Sequence, residues 1–316
     1  MSDLPIVFIH KGYSSYMEFT LRQARYTNPE SEILLLGDPA NNRFDFVTHI
    51  HFEQFANLAT AFKKYYCHMS TNTYAYELFC IQRWFYLLEF VRHAKLDRFF
   101  YCDTDVMVYT DLHAYFHGLG KVGQDGILAF AESNRASASN ALWQVSTLEQ
   151  FCDFIYQGYQ SKKAITQARD YLERHVRNLG GISDMYWVEQ FFKTRLDTVF
   201  CINEVHENKT LDSNINTSRG YFLNEYQINR QGHKKIIWRK NKPYVYNLKL
   251  AKEIEFGLLH FSGSTKYKIP RCYTGEAFPN DTKLKLMALF LDMIAMVYAL
   301  LKLNRITFFR HWASEI

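Results

Sequence analysis

The chain has 316 residues, of which 48% are hydrophobic, 17% aromatic and 22% charged, with only 6 prolines and 14 glycines. That apolar content excludes disorder, and so little proline and glycine excludes a collagen-like or linker composition. The net charge of +5 is local: residues 230–242 hold six basic and no acidic residues, which suits a phosphate-rich ligand or an anionic membrane rather than a whole-surface nucleic-acid binder.

Ile6-Val7-Phe8-Ile9 reads as a short buried strand ended by His10-Lys11-Gly12, residues 15–27 as a helix, and residues 32–36 as a second buried strand closed by Gly37-Asp38-Pro39. Strand, helix and strand in this order open an α/β parallel sheet. Residues 74–93, aromatic and free of Gly and Pro, predict a long helix. Residues 98–101 predict a strand ending at Cys102-Asp103-Thr104-Asp105, with an apolar run resuming over 106–108. A strand at 127–130 and helices at 148–159, 162–178 and 183–193 follow, the last after Gly180-Gly181. Residues 203–232 are loop-rich, and short strands are predicted at 236–238, 244–246 and 257–261. There is no internal repeat.

Several features exclude other chemistries. Six scattered cysteines with no C-x-x-C pair exclude a zinc ribbon, argue against a disulfide scaffold and point to a reducing compartment. The N-terminus lacks the basic region of a signal peptide, so the Asn-x-Ser/Thr triplets at Asn208, Asn216 and Asn280 are expected to be chance matches. Residues 118–123 fit G-x-G-x-x-G, but they precede a strand instead of a helix. Dinucleotide binding needs the opposite context, so they read as a loop. No Walker A motif occurs, and no nucleophile triad can be read from spacing.

The sharpest chemical signal is Asp103-x-Asp105. Two carboxylates one residue apart, where a buried strand emerges, can reach one hard divalent cation, and a strand C-terminus is where α/β sheets place ligands. Far along the chain, His260 follows a short apolar strand and can add an imidazole to such a site, a mixture that manganese accepts. Gly263 allows close backbone approach to a phosphate, and Lys266 can neutralise one.

Asp103-Thr104-Asp105 with His260-x-x-Gly263-x-x-Lys266 resembles the signature of glycosyltransferase family 8, retaining enzymes of the GT-A fold. The resemblance implies Mn²⁺ (or Mg²⁺) on Asp103, Asp105 and His260, and Lys266 on the donor diphosphate. It also places Arg83 among the donor-binding residues, and His10 and Gly263 are further expected donor-binding positions. Ser139-Asn140-Ala141-Leu142 resembles the family's segment beside the donor sugar, with Leu142 where glycine stands in the family. Ser183-Asp184-Met185 resembles its site near the anomeric carbon, with Met185 in place of glutamine. Asn140 and Asp184 are therefore the expected catalytic positions. The landmarks run in order from about residue 5 to 270.

These readings predict an α/β protein, a Rossmann-like GT-A domain over 1–280 with a mostly parallel central sheet flanked by helices, and a C-terminal helical tail over 281–316. The expected function is metal-dependent transfer of a hexose from a nucleotide-sugar, a UDP-sugar, to a saccharide or lipid-linked acceptor in glycan biosynthesis. Retention is what the resemblance implies; inversion would need a general base such as Asp184 or Glu189. One alternative is a sugar nucleotidyltransferase, which His10-Lys11-Gly12-Tyr13 disfavours because it is not glycine-rich. Another is a non-catalytic peripheral membrane protein. Residues 230–242 with Trp238 read either as a site for an acceptor phosphate, lipid headgroup or RNA, or as a solvated loop and edge strand. Residues 286–301 fall short of the roughly 20 needed to span a bilayer, and with Lys302, Arg305, Arg310 and Trp312 they suit attachment to a membrane surface, the other reading being a core or dimer helix. The expected location is cytoplasmic, on the inner face of a membrane, with no nucleic-acid partner.

Overall fold

The computed structural model describes residues 4–120, 126–130, 136–175, 181–211 and 214–276, with residues 282, 285, 286, 289, 290 and 293 of the tail. Its first half contains β1 (Ile6–His10), α1 (Met17–Thr27), β2 (Ile33–Gly37), β3 (Thr48–His51), α2 (Asn57–Lys63), α3 (Tyr74–His93), β4 (Arg98–Cys102), β5 (Val106–Val108), α4 (Leu112–Gly118), β6 (Gly126–Phe130) and β7 (Ala136–Gln144). Then come α5 (Val145–Gln160), α6 (Lys162–His175), α7 (Asp184–Phe192), β8 (Val199–Cys201), β9 (Lys209–Thr210), β10 (Ile237–Arg239), β11 (Lys242–Asn247), β12 (Lys252–Phe256), β13 (Leu258–His260) and α8 (Ile269–Cys272).

Contacts divide the chain into two compact units, one from 1–11, 31–103 and 112–203, the other from 12–30, 104–111 and 204–316. The first unit holds a seven-stranded sheet in the order β3-β2-β1-β4-β7-β6-β8 among the described residues. Pairing is parallel for β3-β2, β2-β1, β1-β4 and β6-β8, and antiparallel on both sides of β7. This is the mostly parallel α/β sheet expected from the sequence. Strands β1 and β2 are buried nearly throughout, which is why they read as continuous apolar runs. Helices α5 and α7 pack against β7, and α3 packs on α5. Their interface is aromatic, with Trp84, Trp143, Phe151 and Trp187 all buried. Thr73 caps α3 by accepting from Tyr76 N, and Ser183 caps α7 by accepting from Met185 N, so each helix begins at a hydroxyl that replaces a missing backbone acceptor.

The second unit holds a four-stranded sheet, β10-β11-β12-β9, and an antiparallel pair, β13-β5. Helix α1 packs on β5, and Phe19, Met107, Tyr109, Phe256, Leu259 and Phe261 belong to the core. The 106–108 run is therefore a strand, and the 257–261 strand shortens to β13.

Several elements carry weak sequence signals. β3 (Thr-His-Ile-His) is only half-buried, β12 (Lys-Glu-Ile-Glu-Phe) alternates charge with burial, and β7 is rich in Ala and Ser, residues of little strand preference. Gly118 ends α4 and Gly120 has φ +60°, so the described part of the glycine-rich stretch follows a helix and not a strand. The end of the expected 162–178 helix and the boundary at 280/281 lie outside the described residues. The six described tail positions are helical, and no described helix is long and apolar enough to cross a membrane.

Candidate functional site

In the first unit, chemistry gathers where β4 ends. The parallel register of β1 with β4 puts their C-terminal ends at the same edge of the sheet, His10 at one and Asp103 just beyond the other. The His10 carbonyl accepts from Asn41 Nδ2 at 3.1 Å. Arg83, from the middle of α3, donates through Nη1 to Asp103 Oδ1 at 2.7 Å and through Nη2 to Asp184 Oδ2 at 2.5 Å. Tyr101 Oη donates to the same Asp103 oxygen at 2.5 Å, and Trp84 Nε1 to Asp184 Oδ2 at 3.1 Å. The guanidinium also lies 5.0 Å from the Trp84 ring centroid. Burial opposes the charge on Arg83, but Asp103 and Asp184 outweigh it and hold the proton more firmly than usual. Asp184 is buried and engaged by both Arg83 and Trp84.

Asn140 lies opposite Cys102 on β7, and Asp103 N donates to Ser139 O at 2.6 Å. The Asn140 side chain is fully buried. Its Oδ1 accepts from Ser139 Oγ at 3.0 Å, while Nδ2 has no hydrogen-bond partner among the described residues. An unsatisfied buried amide is an unused hydrogen-bond donor.

In the second unit, Asp105 lies one residue past Thr104, whose carbonyl accepts from Thr20 Oγ1 at 2.7 Å. The β13-β5 pair sets His260 opposite Val106, and Phe261 N donates to Asp105 O at 3.0 Å. His260 Nε2 then lies 3.4 Å from Asp105 Oδ1, and Lys266 Nζ 3.0 Å from Asp105 Oδ2. Gly263, with φ +59°, opens a 3₁₀ turn over Gly263–Lys268 that returns Lys266 toward Asp105. Among the described residues no atom lies within 4 Å of where a Gly263 side chain would start, so it is the backbone angle that calls for glycine there. Asn216 Nδ2 ties this turn down through Ser262 O and Oγ at 2.7 and 3.0 Å, so its amide is engaged within the fold. Burial alone would raise the Asp105 carboxyl, but His260 and Lys266 prevail and hold it well below the ordinary carboxylate range.

One donor atom from each of Asp103, Asp105 and His260 lies within 4.8 Å of the others. Two carboxylates and an imidazole at that spacing fit a divalent cation such as Mn²⁺. Of the positions expected from sequence, the structure joins Arg83, Asp103 and Asp184 directly, joins Asp105, His260 and Lys266 directly, and sets Asn140 on the neighbouring strand. Glu189 stands apart from these contacts, accepting from Tyr171 at 3.5 Å. Sequence reasoning missed Tyr101, although it precedes Asp103 by two residues and so shares its strand face, and it missed Trp84 beside Arg83.

Glu77, on the first turns of α3, is 1% exposed. Its Oε2 accepts from Ser70 at 2.9 Å and Asn72 at 2.8 Å, while Oε1 has no partner among the described residues. Burial pushes this carboxyl above its ordinary value. The folded protein therefore binds the proton more tightly than the unfolded chain, and stability falls as pH rises from the unfolded to the folded pKa, the cost being complete above it. Glu77→Gln is expected to raise Tm at neutral pH, and the gain should vanish below the ordinary glutamate pKa. Thermal melts of both proteins across pH check this; a gain that grows on acidification would contradict it.

The chain matches no protein-family model and no curated protein. Its backbone is similar to solved glycosyltransferases. The bifunctional glycosyltransferase WbbM is similar at TM-score 0.49 and 9% identity over 90% of this chain and 52% of that one. The galactosyltransferase LgtC, solved with donor and acceptor sugar analogues, gives 0.43 and 11% over 90% and 95%. Mouse xyloside xylosyltransferase 1 gives 0.42 and 10% over 63% and 84%.

Proposed function

We propose that the protein is a metal-dependent glycosyltransferase that moves a hexose from a UDP-sugar to a saccharide or lipid-linked acceptor, with retention. The observation that carries this reading is the meeting of Asp103, Asp105 and His260 as donors within 4.8 Å, with Lys266 beside them. When bound there, a divalent cation supplies Lewis-acid stabilisation of a diphosphate leaving group. Lys266, which pairs with Asp105 in this structure, would bind the diphosphate and stabilise the charge that develops on it. Asn140 Nδ2 offers its proton to a hydroxyl of the donor sugar. Asp184, held by Arg83 and Trp84, orients that sugar against the acceptor hydroxyl. In the retaining reading a phosphate oxygen takes the acceptor proton, and Asp184 serves to position the donor.

A ligand that binds only the native state raises its melting temperature. Melts with UDP, GDP and CMP, each with and without Mn²⁺, are expected to show a rise specific to UDP that needs the metal. A GDP- or CMP-specific rise would change the donor, and no rise with any pair would sink the donor site. Release of pyrophosphate in place of UDP on turnover would identify a nucleotidyltransferase instead.

The reading includes peripheral attachment at the inner face of a membrane. Leu286, Leu289, Phe290 and Met293, at the spacing of one helix face, are between 45% and 59% exposed, which supports an interfacial helix. Co-sedimentation with phosphatidylglycerol vesicles is expected, together with its loss in Leu286→Glu/Phe290→Glu. Equal co-sedimentation of that variant would remove the tail from the account.

A further inference from the structure

The connection from β11 to β12 departs from the usual chemistry of an exposed turn. Gly, Pro, Asn, Asp and Ser ordinarily fill such turns, whereas this one reads Leu248-Lys249-Leu250-Ala251 and enters β12 at Lys252. Leu248 is 52% exposed and Leu250 48%, so the core makes little use of either leucine. A third, Leu223, is 58% exposed on a neighbouring loop.

The frame beneath these leucines is fully bonded. Asn247, which is buried, accepts through Oδ1 from Lys249 N and Leu250 N, both at 2.9 Å, and so shapes the turn. Ala251 completes it at φ +52°, in the left-handed region. Asn247 Nδ2 donates to Glu225 Oε1 at 2.8 Å, Phe222 N to Glu225 Oε2 at 3.0 Å, and Leu248 N to Glu225 O at 2.7 Å. The buried Glu225 thereby fastens the 222–225 loop beside the turn, and Lys249 Nζ lies 3.9 Å from the centroid of the Phe222 ring. The polar groups of the frame are directed inward, and what the tip presents outward is leucine and lysine. Exposed apolar side chains gathered on one fixed surface mark a place of interaction.

Charge decides what this surface fits. Residues 248–252 hold two lysines and no carboxylate. Lys249 has the Phe222 ring as its neighbour and Lys252 donates to Asn208 Oδ1, and neither has a carboxylate partner among the described residues. The next acidic residues along the chain are already engaged, Glu253 by Arg239 and Glu255 by Lys209 and Lys242. Protein interfaces deplete lysine, and a two-fold contact between copies would bring these lysines toward one another. An anionic bilayer accepts both residue types. Leucines enter the acyl boundary, while the lysine stems lie along it and their ammoniums stay among the headgroups.

We infer that the 248–252 turn, with Leu223 beside it, inserts into the surface of an anionic membrane. It is a second point of attachment, distinct from the tail and not dependent on it. It holds the unit that carries Asp105, His260 and Lys266 at the surface where a lipid-linked acceptor lies. That last role rests on the glycosyl-transfer reading; the insertion does not.

The full-length protein is titrated with vesicles of phosphatidylglycerol or of phosphatidylcholine, and binding is read by co-sedimentation. Leu248→Glu/Leu250→Glu is expected to weaken binding to phosphatidylglycerol by about tenfold or more, with circular dichroism and Tm unchanged. Lys249→Gln/Lys252→Gln should weaken it by about tenfold in low salt and much less in high salt. Leu250→Trp places an indole at the tip, and phosphatidylglycerol brominated in its acyl chains should quench that protein more than the wild type. Undiminished binding by the folded leucine double variant, or no added quenching in Leu250→Trp, would overturn the assignment. So would conversion of a dimer to a monomer in the double variant with vesicle binding unchanged, which would make the turn a contact between copies. Absence of binding by the wild type would overturn both attachment points. Loss confined to Leu286→Glu/Phe290→Glu would leave the tail as the anchor, and loss confined to the turn variant would leave the turn. The UDP–Mn²⁺ melts test the donor site independently of either.

Discussion

Asp105→Asn is expected to reduce sugar transfer by roughly 10²–10³-fold or more, the scale seen when a single preorganised charge-stabilising group is lost, while leaving the protein folded. Asp105 is the residue that His260 and Lys266 both address, at 3.4 and 3.0 Å. The amide removes one anionic metal donor and leaves an imidazole and an ammonium facing a neutral group, so Mn²⁺ affinity should fall with turnover. The backbone bond from Phe261 N to Asp105 O, which fastens β13 to β5, is untouched. Transfer assays over a Mn²⁺ titration, with circular dichroism as the folding control, check this. Undiminished turnover in a folded Asp105→Asn protein would remove the Asp105 metal site from the mechanism.

Arg83→Met should be the most destabilising single change at the site. The Arg83 side chain is 11% exposed and shares its charge between two carboxylates, Asp184 being 4% exposed at its side chain. Deleting one partner of a buried ion pair leaves an uncompensated charge, at a cost of about 3–5 kcal/mol. Because Trp84, Trp143 and Trp187 are all buried in the first unit, urea unfolding followed by tryptophan fluorescence reports largely on that unit. Combining Arg83→Met with Asp184→Asn should recover part of the loss, since the second change removes the stranded carboxylate. Additive losses in the double variant would show that Arg83 and Asp184 do not depend on each other.

Much of the frame was legible in the residues. Strands β1 and β2 were readable because sheet strands covered on both faces must be apolar throughout, and α3 because twenty residues free of Gly and Pro leave little alternative. The pair Asp103-x-Asp105 at a strand end was visible for the same local reason. β7 was not legible: its Ala-Ser-Ala-Ser-Asn segment has little intrinsic strand preference and becomes a strand by pairing with β4 and β6. That pairing seats Asn140 opposite Cys102, next to the aspartates.

The charged run 230–242 shows a different limit. Composition marked it as one positive patch, whereas folding sends Arg239 and Lys242 to glutamates of β12 and buries Lys234, which donates to the carbonyls of Asn214 and Arg219. Whether a charge is solvated, paired or buried depends on what lies across from it, and sequence neighbours do not decide that.

By itself, the sequence determined which residues are chemically equipped: two carboxylates one residue apart, a histidine and a lysine six residues apart, and the apolar strands that bring each set to a sheet edge. Only the tertiary structure decided their partners. Asp105 meets His260 and Lys266 because β13 pairs with β5 across about 150 residues of chain, and Asp184 meets Arg83 because α7 packs on β7, while α3 packs on α5. Such contacts follow from long-range strand register and helix packing, which bury apolar area cooperatively and leave no local trace in the segments that they join.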